Sequence, residues 1–169
     1  MSISDSQLAI IEQQIGRAPN GLLDIAYATD QGVPVILRMA PIVDDKPFPT
    51  LYWLCSKDLH KAIAKLETQG LVKELEQRLQ DDSDFMAAYQ ANQQAYVAKR
   101  WANCTSEDKT LLEAKGFAKL FDSYGIGGLR DWQQIRCLHM HYAHHLVDSN
   151  VIGQWLDDHY QLNQLSWAI

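Results

Sequence analysis

Apolar residues recur along this chain in two rhythms. Leu8, Ile11 and Ile15 stand three to four apart, the spacing of one helix face, with Ser4 or Ser6 placed to cap and Gly16 to stop. From residue 23 to 55 the pattern changes to short β-branched and aromatic runs. Residues 23–28 and 33–38 flank the turn sequence Asp30-Gln31-Gly32 and read as a hairpin, and residues 50–55 read as a third strand paired to the second. Pro34 cannot donate to a ladder, which puts its strand at an edge or starts its pairing after the proline. Residues 41–49 are irregular, with Asp44-Asp45-Lys46 as a turn.

Helical spacing returns at Ser56, which can cap a helix carrying Leu59, Ile63 and Leu66 as far as Gly70. Leu71, Val72, Leu75 and Leu79 continue it to the polar break Asp81-Asp82-Ser83-Asp84, and Phe85, Met86, Tyr89, Tyr96 and Val97 mark a long helix reaching about Trp101. Ser106, with Glu107 and Asp108 in the first turn, opens another helix through Leu120. After Gly125-Ile126-Gly127-Gly128, a final long helix is expected from about Asp131 to Ser149 and a shorter one over about 152–160. The plan is α+β: a small antiparallel sheet of about three strands near the N-terminus, packed by five to seven α-helices in a single domain over residues 1–169.

Composition narrows the class. A chain of 169 residues with 47% hydrophobic and 21% charged residues can bury a core without staples, which excludes disorder and rods. No run approaches the roughly 18 apolar residues of a membrane span, and the first residues lack the plan of a signal peptide. Three scattered cysteines, Cys55, Cys104 and Cys137, make no disulfide framework, so a reducing, cytoplasmic setting is expected. A net charge of −6 argues against a broad nucleic-acid face. Neither nucleic acid nor membrane is an expected partner.

The chemical signal lies in Cys137-Leu-His139-Met-His141-Tyr-Ala-His144-His145. On a helix through this segment, Cys137, His141, His144, His145 and Asp148 share one third of the circumference. Ile135, Leu138, Tyr142, Ala143 and Leu146 form the core side, towards which His139 points. Two chemistries suit such a stripe. Cys137, His141 and His144 would ligate zinc or another transition metal, with a further ligand from Cys55, Asp148 or His159. Alternatively, Cys137 and His141 would pair as thiol and base, giving a nucleophile and hydrolase-type chemistry. A solvated polar face with one core histidine accounts for the same residues without function.

Gly127 and Gly128, with Arg136 close by, offer backbone N–H groups and a cation to a small anionic ligand, and Arg17 and Arg38 are further candidates for it. The loop lacks the Lys-Ser/Thr ending of a phosphate-binding P-loop, and no nucleotide cofactor motif is present. The apolar terminus, residues 165–169, either tucks back or contacts a protein partner. That leaves a non-enzymatic interaction module with structural histidines as the alternative to a metal or thiol site.

These residues resemble a bacterial family, domain of unknown function 501. The resemblance rests on Gly16-Arg17 with Gly21, on Gly32-Val33-Pro34, on Pro47-Phe48-Pro49-Thr50-Leu51-Tyr52-Trp53-Leu54, and on Gly125-Ile126-Gly127-Gly128 with Cys137-Leu138-His139-Met140-His141-Tyr142-Ala143-His144. It implies a bacterial cytoplasmic protein without an established activity. The family pattern carries over to Cys137, His139, His141 and His144 but not to His145. Thr29 stands where relatives carry a cysteine before the hairpin turn, which argues against an obligatory multi-cysteine metal site.

Overall fold

The computed structural model describes residues 2–165. Helix α1 (Asp5–Ile15) opens on a capping box, in which the Ser4 hydroxyl accepts from the Gln7 N–H and the Gln7 side chain accepts from the Ser4 N–H. It stops at Gly16, whose φ of 77° is left-handed. Strands β1 (Leu22–Ala28) and β2 (Pro34–Met39) form the expected hairpin. Thr29 closes it, its hydroxyl accepting from the Val33 N–H at 3.1 Å. A second, very short hairpin, β3 (Ile42–Val43) and β4 (Lys46–Pro47), turns through Asp44 and Asp45, both at positive φ.

Strand β5 (Tyr52–Leu54) completes an antiparallel sheet of order β1-β2-β5. The proline-bearing strand is therefore central, not an edge, and Pro34 already pairs with Ala28. The sheet tolerates it because it occupies the strand's first position.

Helices α2 (Lys57–Thr68), α3 (Leu71–Asp81) and α4 (Ser83–Asn103) follow, capped by Ser56, by left-handed Gly70 without a side-chain bond, and by Asp82. The helix expected from Ser106 to Leu120 breaks at Gly116 (φ 76°) into α5 (Ser106–Ala114) and α6 (Ala118–Ser123), and its cap is Thr105. With α7 (Leu138–Asp148) and α8 (Val151–Tyr160), eight α-helices stand among the described residues, one more than the upper expectation. None is long and apolar enough to cross a membrane. Ser166 to Ile169, the core of the proposed partner-contacting tail, lie outside the described residues; Leu165 is 40% exposed.

The largest departure concerns α7, which begins at Leu138 and not near Asp131. A helix from Asp131 would bond the amides of Ile135 and Leu138 to carbonyls four residues back. Here the Ile135 N–H donates to Glu76 Oε1 and the Leu138 N–H to Glu67 Oε1, each at 2.8 Å. Carboxylates from α3 and α2 thus take up amides of the lead-in, which turns at Trp132 and Gln133, and cap α7 from outside. The helix packs against β5, α2 and α8, and Leu138, Tyr142 and Ala143 are fully buried in the largest apolar cluster.

Candidate metal and thiol site

Helix α2 buries Leu59, Ile63 and Leu66 and turns His60 and Glu67, two helical turns apart, towards the start of α7. Cys137 is the N-cap residue of α7, in extended conformation, so its thiol leaves the helix surface altogether. Its Sγ lies 3.7 Å from Nδ1 of His139, and the same Nδ1 lies 3.3 Å from Glu67 Oε1. The other ring nitrogen, Nε2, is 3.1 Å from the His60 carbonyl. A carbonyl only accepts, so Nε2 carries a proton, and Nδ1 is the atom that faces Cys137 and Glu67. Burial disfavours charge on His139, but Cys137, the His60 carbonyl and Glu67 outweigh it and raise its basicity. The His60 ring lies against it, centroids 4.4 Å apart, and is made less basic by burial and then by His139, with Glu67 opposing.

Glu67, Cys137 and His139 therefore present one carboxylate, one thiol and one imidazole atom all within 4.8 Å of one another, each residue partly buried. Among the described residues this is the group of three that converges as metal ligands do. His139 and Glu67 were not among the sequence candidates. His139 reads in sequence as a core-side residue, and its side chain is indeed only 14% exposed, but what it meets there comes from α2, where nothing in the pattern singles out Glu67 beyond its sharing a face with His60.

His141 and His144 stand apart from this group. Both are buried, at 0% and 1% exposure, inside α7's contacts with α4 and α8. Their Nδ1 atoms both face Asn150 Nδ2, at 3.3 and 3.1 Å. His141 lies against Tyr89, and His144 edge-on to Tyr96 and stacked on Tyr52. Burial, reinforced by His144, pushes His141 down to about 3. Burial also dominates at His144, which is pushed down to about 4 although Asp148 opposes the shift. The expected stripe of Cys137, His141, His144 and His145 is thus divided. His145 bonds Asp157 through Nε2 at 3.0 Å and accepts the Asn150 N–H at Nδ1, which ties α7 to α8. Of the further ligand candidates, Cys55 faces the Pro34 carbonyl with its thiol pushed up to about 12 by burial, Asp148 bonds Tyr52 and Lys99, and His159 stacks on Trp155.

The anion candidates separate too. Arg136, Gly127 and Gly128 line one cavity of about 420 Å³, and Cys137 forms part of its wall. The loop that bounds it is held by Gln93, whose Oε1 accepts from the Ile126 N–H at 2.6 Å while its Nε2 donates to the Tyr89 hydroxyl. Arg38 lines a different cavity, of about 590 Å³, where it is paired with Asp24 and bonded to Asn103. Arg17 lies over the Trp53 ring, 5.4 Å from its centroid.

Comparison with known families matches residues 25–158 to the model described as Protein of unknown function (DUF501). No curated protein and no solved structure matches the chain.

Proposed function

The chain belongs to the DUF501 family, and we propose that it is a metal-binding protein whose ligands are Glu67, Cys137 and His139. The observation that carries this reading is the spacing of the three atoms. Zinc bonds of about 2.0 Å to nitrogen or oxygen and about 2.3 Å to sulfur, at tetrahedral angles, separate N from O by about 3.3 Å and N from S by about 3.5 Å. The corresponding separations are 3.3 Å and 3.7 Å. A carbonyl partner on the far nitrogen is also the usual support of a ligating imidazole, and His60 supplies one. One thiolate, one imidazole and one carboxylate suit zinc better than magnesium or calcium.

Three protein ligands leave a coordination position for water or substrate, the arrangement of catalytic zinc. Cys137 is shared between the ligand group and the cavity holding Arg136. A substrate oxyanion beside Arg136 would lie near that open position, and metal-assisted hydrolysis is the reaction class this favours. A second reading rests on the contact between Sγ and Nδ1: without a metal, His139 would take the Cys137 proton and leave a thiolate nucleophile beside an imidazolium.

Cobalt titration tests the metal reading. One equivalent of Co²⁺ should give an intense thiolate-to-cobalt absorption that Cys137→Ser abolishes and Glu67→Gln weakens; the amide still offers an oxygen to the Leu138 N–H and preserves the helix cap. His144→Gln, remote from the ligands, should leave the band in place. Absence of the band in the intact protein, or its persistence in Cys137→Ser, would refute the assignment. Selective alkylation of Cys137 that depends on His139, in protein that binds no cobalt, would establish the thiol reading instead.

A further inference from the structure

The acidic balance of the chain, −6 overall, reverses at the start of α2. A cavity of about 390 Å³ opens there between α1, β5 and α2, and its lining includes Lys57, His60 and Lys61 but no carboxylate. Lys57 and Lys61 are exposed, stand one turn apart, and form no ion pair among the described residues. Asp58, on the same turn, does not line the cavity. The N-terminal end of α2, capped by Ser56, lies at this cavity and favours negative charge.

The second observation is independent of that charge. Gln14, from the last turn of α1, also lines the cavity and is only 6% exposed. Neither its Nε2 nor its Oε1 has a hydrogen-bond partner. Leaving both the donor and the acceptor of a buried amide unmet is costly, and such groups mark places where something else completes the bonding. The missing complement is another group with a donor and an acceptor side by side, as on an amide.

We propose that this cavity binds a small molecule carrying an oxyanion, held by Lys57, Lys61 and the N-terminus of α2, together with an amide-like edge that pairs with Gln14. The volume is near the lower end for small-molecule sites, which favours a compact metabolite. The His60 ring separates this cavity from His139, so an occupant would sit behind the Glu67, Cys137 and His139 group. The inference does not depend on a metal being bound there.

Amide-resolved NMR titration of the full chain with two minimal probes tests it. Phosphonoacetamide carries a phosphonate and an amide; malonamate replaces the phosphonate by a carboxylate. At least one should shift the Gln14 side-chain NH₂ pair and the Lys57 and Lys61 amides saturably, and comparison of the two identifies which oxyanion is preferred. Replacing both lysines (Lys57→Ala with Lys61→Ala) should weaken that probe by about tenfold or more. Gln14→Leu should weaken it by about tenfold without lowering the stability of the fold, since it removes an unpaired buried amide, and should leave methylphosphonate binding unchanged. No saturable shift with either probe, or affinity unchanged in the double lysine variant, would overturn the proposal. Equal loss of methylphosphonate in Gln14→Leu would show that Gln14 only shapes the wall, and would overturn its pairing role.

Discussion

Asn150 fixes the chemistry of His141 and His144, which stand outside the Glu67, Cys137 and His139 group. Its amide N–H₂ faces two imidazole Nδ1 atoms, and its Oδ1 accepts the N–H groups of Ile152 and Gly153 at the start of α8. Each Nδ1 must then be a lone pair, so a proton there would set donor against donor. His144 is the clearer test. Burial lowers its basicity, Lys99 and His145 add to the effect, and Asp148 opposes it. Its folded value of about 4 lies below the ordinary 6.5, so between those values the unfolded chain binds more protons than the folded one. Stability is thus fully present above pH 6.5 and falls as the pH drops towards 4, by on the order of 2–3 kcal/mol from this residue. Urea unfolding at pH 7 and pH 4.5 should show a smaller acid loss in His144→Gln than in the parent. An identical pH dependence would show that His144 is not held neutral.

At the scale of elements, what could be read from the sequence was local and what could not was tertiary. The hairpin was legible because its turn and its β-branched flanks lie within a few residues, and α1 because Ser4 and Gly16 mark its ends. The start of α7 was not legible, because Glu67 and Glu76 that hold its lead-in come from other helices. Drawing the helix through Cys137 puts the thiol on a face it never joins, and nothing local shows that the inward-turned His139 meets Glu67 of α2. His141 and His144 read as polar, yet α7 is covered on nearly every side, and neutral imidazoles with an amide partner pack there as core residues. The loop ahead of this segment carries its own test. A Cβ at Gly125 would fall 2.3 Å from Gln93 Oε1 and 2.6 Å from Trp132 Nε1, whereas one at Gly128 meets nothing within 4 Å and faces only its φ of 77°. Gly125→Ala should therefore cost about 2–3 kcal/mol and Gly128→Ala about 1 kcal/mol, measured by chemical denaturation. Equal losses would mean that the Gln93 clamp does not hold the loop.

Across the whole molecule, the candidate site is where three elements meet: the polar side of α2, the capped end of α7 and the Gly125–Gly128 loop. Arg100 braces the far wall. It is buried without a carboxylate and instead donates to the carbonyls of Pro49, Phe121 and Tyr124, joining α4 to the end of α6 and to the segment entering β5. Such assembly explains why the Cys–His signal was visible in sequence while its composition was not: Cys137 was found, but its partners His139 and Glu67 depend on how α2 and α7 dock. The most direct measurement is X-ray absorption at the zinc edge of protein loaded with one equivalent of zinc. One sulfur at about 2.3 Å, with the remaining ligands nitrogen or oxygen at about 2.0 Å, is expected, and the sulfur should vanish in Cys137→Ser. A shell without sulfur, or one unaltered by that substitution, would contradict the assignment of Glu67, Cys137 and His139 as a metal centre.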